Sequence, residues 1–276
     1  NSPFVATSTA GSVTSNEAGH WDSVTAEAEN RIFLEDAGYD ITTKSLTAHT
    51  GYVTINAQGG KVYAQGPITA GTNVEITATD ESSDAIFIDE NVNAGSDILL
   101  KNNTFVAHSK KLTAGSDVTV NRGKKLSSNG NLEVEAVTGN VIFGGEVVTR
   151  GSLTVDAGTD ITAHGNVTAS TGGLGDLVMT ADSDDNGDGD LTAHGELTTY
   201  GGDIILSASD NTIYLNENVN ADVADDGDIW LNNNTVVAHG KKLTAGSDVT
   251  VNRGKKLSGS GNLAVEAITG NVIFGG

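Results

Sequence analysis

The near-perfect internal repetition of this chain is the feature that most limits its possible folds. Residues 98–145 match residues 229–276 without a gap and with only eight differences. Weaker matches upstream extend the repetition to two tandem copies, placed at residues 23–145 and 146–276. Residues 1–22 have no counterpart in the second copy and are predicted to be a separate leader. Such repetition predicts a fold built from repeated structural units.

A shorter unit recurs within each copy, consisting of Gly, then Asp or Asn, then a short apolar alternation. Examples are residues 95–100 (GSDILL), 115–120 (GSDVTV) and 202–206 (GDIIL). Strand-forming residues alternate with Gly/Asn/Asp turns, and no segment has the apolar spacing of a helix. Because units this short cannot bury their own apolar face, they must stack on their neighbours. The sequence therefore predicts an all-β fold, a parallel β-helix or β-solenoid of about twelve coils.

A pair of β-sandwich domains, one per copy, is the main structural alternative. β-Sandwich domains have longer strands, turns about every 8–12 residues, and large aromatic core residues. Phe, Tyr and Trp make up only 5% of this chain, and its apolar residues are mostly small or β-branched. This composition suits the narrow interior of a solenoid, so the solenoid is the favoured fold.

The Gly-Ser-Asp units at residues 95–100 and 115–120 and the Leu-Thr-Ala-His-Gly turn at residues 191–195 resemble the repeats of filamentous-haemagglutinin-like adhesins and autotransporter passenger domains. The resemblance covers the chain from about residue 30 onward. It implies a right-handed parallel β-helix at the cell surface, with an adhesive or scaffolding role and no catalysis. Residues 1–22 do not contain the amino-terminal secretion domain of that family, so two-partner secretion is not supported.

Composition excludes several classes of protein. The 36 acidic and 15 basic side chains give a net charge of −21, which repels nucleic acids and anionic membranes. The absence of cysteine excludes disulfides, thiol nucleophiles and Cys-ligated zinc. No apolar run is long enough for membrane insertion. A start at Asn1 without a signal-like apolar segment is typical of a processed secreted chain or an excised fragment, so an extracellular or cell-surface location is expected.

The acidic segment at residues 182–190 is the sharpest candidate for a site. Oxygen ligands at alternate positions, with Gly187 for a tight turn, are what calcium requires. The twelfth position of an EF-hand loop would be Ala193 instead of Glu, so the segment resembles the isolated calcium loops of extracellular proteins. The alternative is a solvated acidic insertion. The predicted calcium ligands are Asp182, Asp184, Asn186, Asp188 and Asp190, and a secondary group is Asp222, Asp225, Asp226 and Asp228.

Ten of the fifteen basic residues fall in two equivalent clusters. Each cluster has two Lys-Lys-Leu segments a short distance apart along the chain, so the two segments are expected on adjacent coils as a basic stripe. Stacked like charges repel and favour a counter-charge, either an acidic polysaccharide or the acidic insertions of a neighbouring subunit. The alternative is edge protection by exposed Lys. The clusters are Lys110, Lys111, Arg122, Lys124 and Lys125, and Lys241, Lys242, Arg253, Lys255 and Lys256.

Five of the six histidines follow Ala, which places them at equivalent turns. They are His49, His108, His164, His194 and His239. Stacked on successive coils they would form a ladder or a transition-metal site, although repetition of the unit explains them more simply as turn residues. Three Asn-x-Thr sequons matter only if the source organism glycosylates. They begin at Asn102, Asn166 and Asn233.

Catalytic signatures are missing from the sequence. Polysaccharide lyases also use parallel β-helices, with carboxylates or calcium and a basic residue in an aromatic-lined groove. Here the acidic candidates are repeated or lie in turns, and the sparse aromatic residues do not cluster with a base. No serine-hydrolase, metalloprotease or phosphate-loop motif occurs. We predict no enzyme, and a lyase-like enzyme is the least favoured alternative.

The last residues of the chain suggest how it assembles. Residues 273–276 have no capping segment after them, whereas the equivalent residues 143–145 continue into another coil. An open solenoid end is either the result of cutting a longer protein or is covered by another subunit. The leader is expected to add its strands to a neighbour's edge. The predicted assembly residues are Phe4, Val5, Val13, Ile273 and Phe274.

These expectations combine into one functional prediction. A head-to-tail contact that does not close produces an open filament. The chain is therefore predicted to be a secreted, non-catalytic structural subunit of an extracellular filament or surface layer, stabilised by calcium and polymerising with itself. The alternative is a monomeric adhesin rod, a segment of a longer surface protein that binds an anionic or neutral polysaccharide.

Overall fold

The chain winds into a β-solenoid whose coils pass through three parallel sheets, here called faces A, B and C. A computed structural model describes residues 2–80, 84–173, 175–221 and 226–275. Within these residues there are 35 strands, one 3-10 turn at Ala18–His20 and no α-helix. Strands inside the rod pair in parallel with strands of the coils below and above them. The predicted all-β parallel solenoid of about twelve coils is confirmed.

Face A contains the first strand of the chain and the last. Its strands are β1 (Phe4–Ser8), β3 (Val24–Ala28), the second half of β5 (Ile41–Ala48), β8 (Ile68–Ala70), β11 (Val92–Ala94), β14 (Lys110–Ala114), β17 (Leu132–Ala136), β20 (Leu153–Ala157), β23 (Leu177–Thr180), β26 (Ile204–Ser207), β29 (Ile229–Leu231), β32 (Val249–Val251) and β35 (Val272–Phe274).

Face B is a sheet of 12 strands. They are β2 (Val13–Ser15), β4 (Ile32–Asp36), β6 (Val53–Ala57), β9 (Val74–Ala78), β12 (Ile98–Leu100), β15 (Val118–Val120), β18 (Val141–Phe143), β21 (Ile161–Ala163), β24 (Leu191–Ala193), β27 (Thr212–Leu215), β30 (Asn234–Val237) and β33 (Leu257–Gly259). At about 4.8 Å per coil, this face extends over roughly 53 Å.

Face C begins with the first half of β5, which turns the corner and joins faces A and C into one hydrogen-bonded sheet of 23 strands. Its other strands are β7 (Val62–Ala64), β10 (Ile86–Ile88), β13 (Thr104–Val106), β16 (Leu126–Ser128), β19 (Val147–Thr149), β22 (Val167–Ala169), β25 (Leu197–Thr199), β28 (Val219–Ala221), β31 (Lys242–Ala245) and β34 (Ala264–Ala267).

The core is a set of apolar columns that run along the axis. In β6, Val53, Ile55 and Ala57 are buried while the alternate residues are partly exposed, as the two-residue period of a strand requires. Parallel register places Val53 between Ile32 and Val74 of the neighbouring coils. Each fully buried Val, Ile or Leu contributes roughly 1.5–3 kcal/mol. Short strands are stable here because every coil covers the next.

Ladders of Asp and Asn side chains hold two of the corners together. Ahead of face B, Asp117 Oδ1 accepts from the Asn140 N–H at 2.8 Å, Asn140 Oδ1 from the Asp160 N–H at 3.1 Å, and Asp160 Oδ1 from the Asp190 N–H at 2.8 Å. The partners of this ladder are 20 residues apart at one step and 30 at another. Extra residues are therefore accommodated in the turns while the walls keep their register.

The first residues of the chain form a coil of the solenoid, where a separate leader was expected. β1 pairs with β3, and β2 pairs with β4. On face C the 3-10 turn takes the place of a strand and buries Ala18 completely. The buried carboxylate of Asp36 accepts from the Gly19 N–H at 3.0 Å and fixes this turn. The strands thus pair within their own chain, and their proposed contact with another subunit stays a prediction.

The two sequence copies lie on different faces of the solenoid. Ile98 is in β12 on face B, but its copy Ile229 is in β29 on face A. Thr104 is in β13 on face C, whereas Thr235 is in β30 on face B. Equivalent strands are seventeen strands apart along the chain, one short of six full coils. The second copy is consequently turned by a third of a coil, and equivalent outward groups point in different directions.

Candidate functional surfaces

The basic clusters do not form the expected stripes. Lys110 and Lys111 belong to β14 on face A, whereas Lys124 and Lys125 precede β16 on face C. The chain between them completes only two-thirds of a coil, which puts the two segments at different corners, and the expectation of adjacent coils was wrong. The copies at residues 241–242 and 255–256 lie at β31 on face C and ahead of β33 on face B.

Counter-charges for most of the lysines come from the chain itself. Lys110 Nζ is 2.8 Å from a Glu90 carboxylate oxygen, and Lys241 Nζ is 2.6 Å from Glu217 in the second copy. The remaining pairs are Lys111 with Glu133 and Glu135, Lys125 with Glu146, Lys242 with Glu266, and Lys255 with Asp210. Exposed pairs of this kind contribute about 0–1 kcal/mol each. Within the described ranges, Arg122, Lys124, Arg253 and Lys256 form no ion pair.

Lys111 lies among three carboxylates on face A. Burial lowers the pKa of Lys111, but hydrogen bonds and charge from Glu133 and Glu135 outweigh burial and raise that pKa above its ordinary value. Burial raises the pKa of Asp156, and the charges of the same two glutamates add to the rise, against a hydrogen bond from Thr180 and the charge of Lys111. Lys111 therefore has its counter-charges within the chain, and the cluster keeps an excess of acidic groups.

An open groove of about 480 Å³ runs beside this cluster. The residues that line it include Ser109, Lys110, Lys111, Asn131, Glu133 and Thr154. Both of its lysines are already paired with glutamates. Its hydroxyl and amide groups suit a polar ligand of low charge.

The acidic segment forms a closed loop between β23 and β24. Asp182 is 2% exposed with φ of 53°, and its Oδ1 accepts from the N–H groups of Asn186 at 3.0 Å and Gly187 at 3.2 Å. Asp184 Oδ2 accepts from Asn186 Nδ2 at 3.0 Å, and Asn186 Oδ1 accepts from the Asp188 N–H at 3.0 Å. These four predicted ligands hydrogen-bond to one another.

Other predicted ligands belong to the corner ladders. Asp190 Oδ1 accepts from the Thr212 N–H at 3.0 Å, and Asp228 Oδ1 from the Asp248 N–H at 2.7 Å. Asp226 is exposed, and residues 222 and 225, both aspartates, lie outside the described residues. In the part of the chain that the structure describes, no group of three or more His, Asp or Glu side chains is arranged to hold a metal ion. Calcium binding stays a prediction.

Two of the histidines stack, as a ladder requires. The rings of His164 and His194 have their centroids 5.3 Å apart and their planes within 2° of parallel. Both side chains are exposed at the corner between faces B and C. Asn216, one coil further, places its Nδ2 atom 3.1 Å from His194 Nδ1.

The remaining histidines of the Ala-His turns have local partners. His108 Nδ1 accepts from the Asn131 N–H at 3.2 Å. The imidazole of His108 occupies the space where Gly130 lacks a Cβ, and His239 does the same over Gly261 in the second copy. His49 is exposed, and its Nε2 lies 2.8 Å from a Glu27 carboxylate oxygen. These three are turn residues, as the simpler interpretation predicted.

An aromatic column on face C was missed by the sequence analysis. Tyr63 and Phe87 stack with centroids 5.0 Å apart, and Phe87 is 6.1 Å from Phe105. Lys61 Nζ lies 5.5 Å from the centroid of Phe87, so the expectation that aromatic residues do not cluster with a base was wrong. Each contact contributes about 0.5–1.5 kcal/mol. The sequence signal for this column is an aromatic residue at the middle position of three short strands, at residues 62–64, 86–88 and 104–106.

The sequons differ in accessibility. Asn233 is 3% exposed, and its Oδ1 accepts from the Ala208 N–H at 2.9 Å. Asn166 is exposed, with its Oδ1 accepting from the Glu196 N–H at 3.0 Å. Asn102 is partly buried, and its Oδ1 is 3.3 Å from the Ala78 nitrogen. Only Asn166 presents its side chain openly to a modifying enzyme.

The last coil presents core residues to solvent. In β35, Val272 is 39% and Phe274 is 58% exposed. The identical residues of β18, Val141 and Phe143, are completely buried because β21 covers them. Val5 in β1 is 70% exposed, whereas Phe4 packs partly on the core. The apolar residues of β35 are thus of the kind that a further coil buries inside the rod.

The two ends also carry opposite charge. Residues 2–40 contain seven acidic side chains and one basic Arg. Residues 239–275 contain five basic side chains and two acidic ones. In a chain whose net charge is −21, these two segments are electrostatically complementary.

Comparison with known proteins identifies no relative, because no protein-family model, curated protein or solved structure matches the chain. The resemblance to filamentous-haemagglutinin-like adhesins and autotransporter passengers therefore stays a prediction from sequence motifs. None of the described residues belongs to a helix that is long and apolar enough to cross a membrane.

Proposed function

We propose that the chain is a non-catalytic structural protein, a subunit of an extracellular filament or surface layer that assembles head-to-tail. The observation that carries this proposal is the continuous stacking of the coils: β21 covers β18 and buries Val141 and Phe143 completely, and the same residues recur as Val272 and Phe274 in β35. An exposed apolar layer next to unpaired strand edges favours the addition of another strand.

The interior of the rod indicates what a covering coil provides. Over β18, the Val141 N–H donates to the Asp160 carbonyl at 2.9 Å, and the His164 N–H donates to the Phe143 carbonyl at 2.9 Å. The first coil of a second subunit, with β1 and β2, offers comparable strands to β33–β35. Opposite charge at the two ends favours this orientation over head-to-head contact. Because the contact joins different surfaces, it extends into an open filament.

The sides of the rod support a structural role more than a catalytic one. The charged groups of face A are paired with one another in the cluster around Lys111. The sequence resemblance supports an extracellular location. A rod whose face B extends over roughly 53 Å is suited to mechanical support or spacing at a surface.

Assembly is tested by sedimentation velocity and negative-stain electron microscopy across a concentration series. The wild-type chain is expected to form unbranched filaments, and Phe274→Glu is expected to remain monomeric with unchanged β circular dichroism. Tyr200→Glu is the matched control, because Tyr200 is an exposed aromatic at 41% in the middle of the rod. A wild-type chain that stays monomeric at every concentration contradicts the proposal. That result would favour further coils of a longer protein as the cover of β35.

Glycan binding by a monomeric adhesin rod is the second candidate function. The polar groove beside Lys111 supports it, and the pairing of both groove lysines favours a neutral polysaccharide over an acidic one. A glycan array with the wild-type chain tests this candidate. Binding that is lost in Lys110→Ala and kept in Lys255→Ala would place the ligand in the groove. An array without any positive glycan would contradict it.

A further inference from the structure

We infer that His164 and His194 form a two-imidazole binding site for a divalent first-row transition-metal ion, such as Zn²⁺ or Cu²⁺. The site is independent of the proposed assembly, because it lies on the side of the rod between faces B and C. It is also separate from the acidic loop, whose ligands are carboxylates suited to calcium. Imidazole nitrogen is a ligand that suits zinc, copper and nickel.

The geometry of the pair permits chelation by both rings. A zinc ion bonds each imidazole nitrogen at about 2.1 Å, so two nitrogens must come within about 4.2 Å of each other. The ring centroids are 5.3 Å apart, which is close enough for this after the rings rotate. Rotation is necessary because the planes now lie within 2° of parallel. Exposed side chains such as these change rotamer within nanoseconds.

The corner backbone fixes the two histidines one coil apart. The His194 N–H donates to the Ala163 carbonyl at 2.8 Å, as the His164 N–H does to the Phe143 carbonyl one coil earlier. The next residue in each turn is Gly165 or Gly195, and a Cβ on Gly195 would overlap the Gly165 backbone. The glycines therefore let the two turns stack directly. Although this coil is 30 residues long, the turn keeps its position because the insertion lies elsewhere.

Asn216 is placed to orient one of the ligands. Its side-chain amide lies 3.1 Å from His194 Nδ1. An amide can present either its oxygen or its nitrogen, because its terminal group can flip. With the oxygen facing Nδ1–H, the lone pair of His194 Nε2 is free for a metal ion. Such an outer hydrogen bond fixes the tautomer of a ligating histidine and raises metal affinity by about 10–100-fold. Asn216 is thus a positioning residue, and solvent completes the coordination.

Isothermal titration calorimetry with zinc chloride tests the site in the full chain at neutral pH. We expect one zinc ion per chain. His164→Ala and His194→Ala should each lower the affinity by at least ten-fold, and Asn216→Ala should lower it by about ten-fold while leaving one site. Affinity should also fall as the solution is acidified, because a protonated imidazole cannot bind metal. Both histidines are exposed, so circular dichroism and melting temperature without zinc should be unchanged.

Electron paramagnetic resonance of the copper(II)-loaded chain adds a second readout. The spectrum of the wild type should show coupling to two imidazole nitrogens, reduced to one in either single variant. His49→Ala is the matched control, since His49 is exposed and has a different partner, Glu27. The inference is overturned if His49→Ala weakens zinc binding as much as His194→Ala. It is equally overturned if the wild type shows no saturable site.

Discussion

Asp203 illustrates how a single corner residue balances hydrogen bonding against charge. It lies in the ladder ahead of face A, where its Oδ1 accepts from the Asp228 N–H at 2.9 Å. Burial raises the pKa of Asp203, and the charges of Asp228 and Asp176 add to the rise, although the hydrogen bond lowers it. The folded state therefore favours the protonated acid. The ionised Asp203 carboxylate lowers the stability of the fold once the pH exceeds its raised pKa in the folded state. This loss disappears below the pKa of Asp203 in the unfolded chain.

Replacement of this carboxylate by an amide should stabilise the protein. Asp203→Asn keeps the oxygen acceptor and removes the like charge, so the melting temperature at neutral pH should rise by about 1–3 °C. The gain should shrink as the pH falls and Asp203 becomes protonated. Asn140→Asp is the converse variant, because Asn140 lies between Asp117 and Asp160 in the other ladder. Thermal melts of both variants at neutral and acidic pH check the prediction, and a neutral-pH loss in Asp203→Asn would contradict it.

Glycine at residue 195 should be essential for the stacking of coils. A methyl group there would overlap the backbone of Gly165, so Gly195→Ala should cost about 1–3 kcal/mol. Gly38→Ala is the control, since a Cβ at Gly38 meets nothing within 4 Å. Urea unfolding should separate the two variants clearly. Equal stabilities would mean that the corner can open without cost.

At the scale of the strand, β18 and β35 offer the same sequence in two environments. Phe143→Ala should destabilise the monomer by about 3–5 kcal/mol, because Phe143 is fully buried. Phe274→Ala should cost far less, because Phe274 is 58% exposed. Urea unfolding of monomeric samples measures both changes. Comparable losses in the two variants would show that β35 is covered in solution.

The acidic loop between β23 and β24 has its own test. Asp182 binds the loop amides of Asn186 and Gly187, so Asp182→Ala should lower stability by about 1–2 kcal/mol with or without calcium. Asp184 is exposed and accepts only from the Asn186 side chain. Asp184→Ala should therefore matter only if calcium binds. If calcium binds, EDTA should lower the melting temperature of the wild type and leave Asp184→Ala unchanged. No effect of EDTA on the wild type would make the loop a solvated insertion.

The strands were predictable from sequence and the placement of surface groups was not. Alternation in segments such as residues 115–120 directly indicated the buried positions of β15, because a strand has a period of two. The acidic loop was visible as an insertion, but Asp190 looked like part of it and instead belongs to a ladder. A ladder hydrogen bond joins residues 20 to 30 positions apart, and the spacing of acidic residues in one segment cannot reveal it.

At the scale of the whole molecule, the first coil is a test of the assembly proposal. Deletion of residues 1–22 removes β1, β2 and the 3-10 turn but leaves β3 and β4 with their other neighbours. We expect β circular dichroism to persist and polymerisation to be lost, because β1 and β2 are the strands proposed to contact the last coil of a neighbouring subunit. Electron microscopy of the truncated chain checks this. Filaments of unchanged length and number would remove the first coil from the assembly contact.

The direction that each copy faces depends on the number of strands between the copies. The sequence offset between the copies is larger at Ile98 than it is upstream, so indels in the turns obscure that number. Lys111 and Lys242 therefore looked equivalent and lie on faces A and C. The core tolerates this rotation of the second copy by a third of a coil, because inward Val, Ile and Leu residues line all three faces.

The second copy is rotated by a third of a coil relative to the first. This rotation determines how many equivalent side chains of a longer rod can contact one partner. In an array that repeated the same step, equivalent side chains would follow a helical path and return to the same azimuth only at every third copy. A flat partner, such as a crystalline surface or a membrane, would then engage one copy in three. A soluble multivalent partner would meet identical groups around the whole circumference. The unit therefore favours partners that surround the rod over partners that lie along one side of it.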